Sequence, residues 1–321
     1  MTGLRRLLPV VLPLAALVGC STTARSTPFP ESRPHEPSAA DFDVEHYAIE
    51  LVLDPVARAF EASCRIRFRS RVDGLRRIEL DLVGLDVHGV TDGEGRALAF
   101  DHDGRRLGAI LAEPLARGST GELAVAYGGS PVLGLWFTGS DASGTPTQVF
   151  TQGQCDESRG WFPCFDQPSD RATSEIRVTM PSGWISVAAG TRIERVEEGG
   201  VVTEHWRMDF PHPSYLVTLV AGELHVQEAE WEGVSLWFVA EERYAPWLDA
   251  TFHETDEILA FLSEYTGLRY PFSKYSQACV ANFPWGGMEN ITATTLTPLV
   301  LDDELGNLDE EHHDLIAHEA A

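Results

Sequence analysis

Apolar and polar residues alternate along much of the first two thirds of the chain. Over 60–68, Phe60, Ala62, Cys64, Ile66 and Phe68 alternate with Glu61, Ser63, Arg65 and Arg67. A period of two puts the first set on one face of a strand and the second on the other. Tyr47, Ile49, Leu51 and Leu53 repeat the pattern. So do Ile78, Leu80 and Leu82, then Leu123 and Val125, then Ile176, Val178 and Met180. Clusters such as Asp92-Gly93-Glu94-Gly95 and Glu197-Glu198-Gly199-Gly200 supply the turns. Many short strands with no helices between them predict a mainly β, antiparallel saddle or sandwich over 43–222.

After residue 223 the pattern changes. Residues 224–239 still read as strand. Pro246 then opens a predicted helix through about Tyr265, with Leu248, Phe252, Ile258, Leu259 and Leu262 at helical spacing and Gly267 as its stop. A second helix is predicted at the end of the sequence. Asp309, Glu310 and Glu311 crowd its first turn, where carboxylates suit the helix dipole. Leu315, Ile316 and Glu319 continue it to the last residue.

Composition narrows the function classes. The chain has 321 residues, 43% of them hydrophobic, enough to bury a core and to form about two domains. Its formal net charge is −25. That excludes a general nucleic-acid binder, which needs a basic face against phosphates. Lys274 is the single lysine, a bias of composition from which no function is read.

The first segment reads as a targeting signal. Arg5 and Arg6 precede an apolar run, Leu7 to Val18, broken by Pro9 and Pro13. It is shorter than the about 20 residues a membrane-spanning helix needs, and it suits the core of a signal peptide. Leu17-Val18-Gly19-Cys20 resembles a bacterial lipobox, which implies removal of 1–19 and lipidation of Cys20; a plain secretory signal is the alternative. Residues 20–42, rich in Ser, Thr and Pro, read as a tether holding a domain off a membrane. The expected location is the bacterial cell envelope, lipid-anchored and facing away from the cytoplasm. In that oxidising setting Cys155 and Cys164, nine positions apart, could pair, although nothing compels it.

Three segments could carry chemistry. The sequence ends in His318-Glu319-Ala320-Ala321, the first four letters of a HExxH zinc motif. On a helix, imidazoles four apart share a face and can grip one Zn2+. Alone, these four letters fit a helix ending in a surface His and Glu better than they fit a zinc site. Gly286-Gly287-Met288-Glu289-Asn290 pairs an uncovered backbone with a carboxylate that can hold an ammonium, or else is a turn with a solvated Glu. Thr151-Gln152-Gly153-Gln154 leads into Trp161-Phe162-Pro163-Cys164-Phe165-Asp166-Gln167-Pro168, where the aromatics read as core. Gln154 is there either a neutral acceptor for a ligand amine or a polar loop residue.

Taken in order, residues 151–168, 270–275 (YPFSKY), 282–290 and 315–319 resemble the aminopeptidase N family of zinc metallopeptidases. That family has a Gln/Glu loop before FPCxDxP, then a Tyr-Pro-x-x-Lys-Tyr segment, GxMEN and HExxH. His46-Tyr47 and Tyr215-Leu216 before Ala221-Gly222-Glu223 also look like its first domain. The resemblance implies a β domain over 43–222 and the start of an α+β, thermolysin-like catalytic domain, truncated, over 223–321. Gly287, where most members carry Ala, and Gln154, where many carry Glu, are similar to the aminopeptidase B and leukotriene-hydrolase branch.

The resemblance further implies roles. His318 is a ligand of one Zn2+, and Glu319 is the general base toward the water that zinc activates. Glu289 binds the α-ammonium of a peptide with a free N-terminus, assisted by Gln154. Gly286, Gly287 and Met288 face the substrate backbone. A catalytic zinc takes three protein ligands. The second His of the motif, the Glu ligand and the Tyr that steadies the tetrahedral intermediate are not among the 321 residues. The chain alone is therefore expected to be inactive. The alternative is a non-catalytic lipoprotein that binds peptide ends or serves as an assembly module.

Overall fold

A computed structural model describes residues 41–303, 305–306 and 312–321. The predicted leader 1–19, Cys20, nearly all of the predicted tether and the acidic run Asp309–Glu311 lie outside the described residues. In chain order the strands are β1 (Phe42–Asp54), β2 (Ala59–Ser70), β3 (Leu75–Asp81), β4 (Asp86–Asp92), β5 (Ala99–His102), β6 (Arg106–Leu115), β7 (Thr120–Gly129), β8 (Leu135–Thr138) and β9 (Gln148–Thr151). There follow β10 (Ala172–Pro181), β11 (Ile185–Ala188), β12 (Thr191–Glu198), β13 (Val201–His212) and β14 (Leu219–Gly222). The last part holds β15 (His225–Trp231), β16 (Val234–Ala240), α1 (Leu248–Phe252), α2 (Thr255–Thr266), β17 (Lys274–Cys279), β18 (Gly287–Met288), β19 (Ala293–Leu296) and α3 (His313–Ala320).

The alternation of β2 places Phe60, Cys64, Ile66 and Phe68 in the core and leaves Glu61, Arg65 and Arg67 outside. In β1 the inward set changes parity, from Phe42 and Val44 to Tyr47, Ile49, Leu51 and Leu53. A bulge between Val44 and His46 in the pairing with β2 absorbs the extra residue and keeps both sets inside. β1 sits in a seven-stranded sheet of order β12-β13-β10-β1-β2-β7-β4. Sheets β11-β14-β9-β8 and β3-β6-β5 complete the β part.

The sheets are not purely antiparallel. β1 runs parallel to β10 with Ile49 opposite Ile176, because the many residues between them return the chain to the same end of the sheet. In the later sheet, of order β15-β16-β17-β19-β18, the pairs β16–β17 and β17–β19 are also parallel. The stretch read as one strand over 224–239 is a hairpin, turned at Glu232 and Gly233, both at positive φ. The single helix predicted from Pro246 is a 3-10 turn, Glu242–Trp247, then α1 and α2, broken at His253-Glu254. Gly267 ends α2 in the left-handed region at φ 68°, as a C-terminal glycine does.

β16 is apolar on both faces, which marks a strand covered on both sides. Val234, Leu236, Phe238 and Ala240 join Leu248, Phe252, Leu259 and Ile316 beneath the helices. Trp237 and Val239 face the other way and join the main core. That core extends through Ala278, Val280, Phe283, Met288 and Ala293, so the β part and the later sheet share one hydrophobic interior.

The 158–168 segment is a hub of this interior. Trp161 and Phe162 are fully buried. The Tyr127 hydroxyl donates to the Trp161 carbonyl at 3.1 Å, and the Phe165 amide donates to the Tyr47 hydroxyl at 3.0 Å. Asp166, itself buried, accepts from Arg159 Nε at 3.1 Å and from Ser214 Oγ at 2.6 Å. Burial still holds its carboxyl above the ordinary value. Cys64, Cys155, Cys164 and Cys279 are all free thiols. No helix among the described residues is long and apolar enough to cross a membrane.

Candidate functional site

The GGMEN segment forms a sheet edge. Gly287 and Met288 make β18, paired antiparallel with Leu296 and Thr295 of β19. β18 is the last strand of its sheet, so its other edge is open to an added strand. The Gly286 carbonyl accepts from the Thr297 amide at 2.9 Å, which pins the turn into β18. Met288 is buried and anchors the strand, while Glu289, the next residue, is exposed. Asn290 is buried and donates to Thr295 Oγ1 at 3.2 Å.

α3 packs against the β18 strand. A Cβ built on Gly287 would stand 2.4 Å from Glu319 Cγ, so glycine lets the Glu319 side chain lie directly on the strand. At Gly286 the nearest atom is Leu315 Cδ1 at 3.3 Å. The Glu319 carbonyl accepts from Thr294 Oγ1 at 3.3 Å, and Thr294 Oγ1 meets the Tyr275 hydroxyl at 2.8 Å. Glu319 is 9% exposed, near the C-terminal end of the eight-residue α3. Burial raises its carboxyl above the ordinary value, the His318 imidazole lowers it, and Glu289 raises it further. His318 is exposed on the same helix.

Glu289 and Glu319 line one cavity of about 420 Å³, with Leu216, Tyr275, Asn290 and Thr294 among its walls. Tyr215, beside that wall, ties in the third segment. Its hydroxyl is pushed up by burial, then by the Glu289 charge, with a further contribution from Cys155. The loop is seated by Gly153, where a Cβ would meet Ser158 Oγ and the Tyr215 carbonyl at 2.6 Å. Gln154 follows it, exposed, with a cis peptide to Cys155.

Of the sequence-predicted residues, the structure places Glu289 and Glu319 in one cavity and sets Gly287, between Gly286 and Met288, against Glu319; Gln154 and His318 are not among the residues lining that cavity, and Gly153 seats the Gln154 loop against Tyr215. Cys20 lies outside the described residues. Tyr215 was not singled out as a site residue from the sequence; its signal was its place in the segment before Ala221-Gly222-Glu223. Two further clamps hold the Glu289 loop. Thr292 accepts at its hydroxyl from the Gly190 amide at 2.7 Å. Its carbonyl accepts from Lys274 Nζ at 3.2 Å and from Ser276 Oγ at 3.1 Å.

As a zinc site, the residues around His318 supply one imidazole. Among the described residues, the group whose donor atoms converge is His253, Glu254 and His313, and it does not include His318. The described residues by themselves do not fit a catalytic zinc at His318, which takes three protein ligands.

Residues 43–216 match the model of the peptidase M1 N-terminal domain, and residues 250–321 match that of the peptidase family M1 domain. Leucine aminopeptidase 2 of Candida glabrata is 24% identical over 99% of this chain and 50% of its own length. Aminopeptidase B of Mus musculus is 29% identical over 68% of this chain and 33% of its own. The fold is similar to the M1 zinc metallopeptidase of Deinococcus radiodurans, solved as a mutant bound to a Tyr-Ser-Ala substrate. The TM-score is 0.72 at 26% identity, covering 87% of this chain and 64% of that one. The chain spans about half the length, or less, of these curated relatives.

Proposed function

Since the chain belongs to peptidase family M1, we propose that it forms the amine-recognising half of a zinc-dependent aminopeptidase, which removes N-terminal residues from peptides. One observation carries this reading: the carboxylates of Glu289 and Glu319 line one cavity beside an open strand edge. A peptide laid along β18 would exchange backbone hydrogen bonds with Gly286 and Gly287. Glu289 at the end of that edge would accept charge-assisted hydrogen bonds from the α-ammonium, and Gln154 would add a neutral acceptor. Only a chain end carries that cation, so the first residue would be the one held over Glu319. The backbone of an internal peptide segment carries no charge to satisfy Glu289.

Glu319 would hold the proton. Burial and the neighbouring Glu289 raise its carboxyl, which brings its proton affinity nearer to that of a base working close to neutral pH. His318 would be one of the zinc ligands. A bound zinc would supply Lewis acidity toward the peptide carbonyl and toward water. With a single donor at that position, we propose that these 321 residues do not hydrolyse peptides unaided.

The test is kinetic and uses the complete protein. Glu289→Ala should raise KM for aminoacyl substrates roughly ten- to a hundredfold, the loss of about 1.5–3 kcal/mol from a hydrogen bond to a charged group. Glu319→Gln should abolish turnover while leaving the binding of a free amino acid intact. Unchanged kinetics in Glu289→Ala would overturn the assignment of the amine site. The leader and Cys20 support export and lipid anchoring in the cell envelope; Cys20→Ala should release the protein from membranes into the soluble fraction.

A further inference from the structure

We propose that His253, Glu254 and His313 form a second divalent-cation site, of the kind that binds Zn2+, separate from His318. Their donor atoms all lie within 4.8 Å of one another. His313 Nδ1 is 3.1 Å from one oxygen of Glu254, and His253 Nε2 is 3.7 Å from the other. Three ligands about 2.0–2.2 Å from a tetrahedral zinc stand roughly 3.4 Å apart. The two measured separations bracket that value but reach different carboxylate oxygens; with all three donors within 4.8 Å of one another, an ion would draw them together by at most about 1.4 Å. The imidazole centroids are 5.6 Å apart at 65°, a disposition two rings on one ion can take.

The tautomer of His253 is already set for a metal. Its Nδ1 lies 2.8 Å from the Ala250 carbonyl and must donate to it. In the neutral ring Nε2 then carries a lone pair, and that lone pair faces a carboxylate. Two electron-rich atoms face each other there unless a proton or a cation lies between them. A carbonyl that fixes a ring tautomer so that the other nitrogen can ligate is how metal-binding histidines are held. Two imidazoles and one carboxylate suit zinc in preference to calcium or magnesium, which take oxygen ligands. His253 and Glu254 are partly exposed, which leaves a way in and an outward position for water.

The placement gives the site a role. His253 and Glu254 are the break between α1 and α2, and His313 is the first residue of α3. The ion would join residues sixty positions apart. It would also fix the start of the helix that carries His318 and Glu319. The bound metal is structural: it holds α3 against α1 and α2 and takes no part in hydrolysis.

The test uses the 321-residue chain, stripped of metal and titrated with ZnCl2. In a His318→Ala background one equivalent of zinc should still bind, measured by equilibrium dialysis with elemental analysis. Adding His253→Ala or His313→Asn should weaken that binding at least tenfold. Co2+ in place of zinc should give the visible absorption of a four-coordinate site in the His318→Ala protein. Saturating zinc should also raise its melting temperature by several degrees, which requires no further substitution. Absence of zinc binding in His318→Ala, or binding indifferent to both His253→Ala and His313→Asn, overturns the proposal.

Discussion

Lys274 offers a test of how the Glu289 loop is anchored. It is 5% exposed, and among the described residues no carboxylate shifts its proton affinity. Its ammonium donates to the Ala188 carbonyl at 3.0 Å, Ser276 Oγ at 3.0 Å and the Thr292 carbonyl at 3.2 Å, and it lies 5.0 Å from the Trp206 ring centre. Burial, with a smaller contribution from Arg192, brings its pKa down from 10.5 to about 7. The unfolded chain thus binds more protons than the folded one between pH 7 and 10.5, and stability rises with pH across that window. At about 1.4 kcal/mol per pH unit the full effect approaches 5 kcal/mol, of which about 2 kcal/mol falls between pH 7 and 9.

Lys274→Met keeps the buried stem and removes the charge. Thr292 retains the Ser276 hydroxyl and amide as donors to its carbonyl, so the loop keeps part of its clamp. Urea denaturation followed by tryptophan fluorescence, at pH 6.5 to 9.5, reads the effect. The raised thiols of Cys64, Cys164 and Cys279 lower stability at the alkaline end in both proteins alike. The quantity to follow is therefore the difference between them. Wild type should gain about 2 kcal/mol on the variant between pH 7 and 9, with no further divergence below pH 6. Parallel curves would refute the argument that burial of Lys274 lowers its proton affinity in the folded state.

Other expectations concern the β part. Glu204 is fully buried and is bonded to Ser186, Arg192 and Arg195. Glu204→Leu should lower unfolding free energy by about 2–4 kcal/mol in chemical denaturation, toward the low side for a buried pair because both guanidiniums are about a third exposed. Asp170 is pushed up from 3.8 to about 7 by burial and by Asp43, so the folded state holds its proton more tightly and stability falls as pH rises from about 4 to 7. Asp170→Asn should flatten that slope and stabilise the chain by up to about 4 kcal/mol above pH 7; an unchanged slope would contradict it. Truncation of Trp161, fully buried, to Ala should cost about 3–5 kcal/mol in the same assay.

Much of the β part was legible because its strands bury one face and wet the other, as Phe60 to Phe68 do. Register between distant strands was not. Nothing in the residues of β1 announces a parallel partner at Ala172–Pro181, since side-chain alternation is the same whichever way a neighbour runs. The bulge near His46 hid in the parity change from Val44 to Tyr47. Helical spacing ran through His253-Glu254 without a glycine or proline to mark the break. At the site, Glu289 and Glu319 were found through motif order, while their shared cavity depends on Gly287 admitting the Glu319 side chain. Tyr215 and His313 acquire their partners only through tertiary contacts with segments far along the chain.

The most direct measurement compares one peptide with its N-acetylated form as substrates of the complete protein, and as ligands of the Glu319→Gln variant. A site built on Glu289 and Gln154 predicts cleavage and binding of the free amine and loss of both on acetylation. Equal cleavage of the two forms would contradict an N-terminal amine held by Glu289.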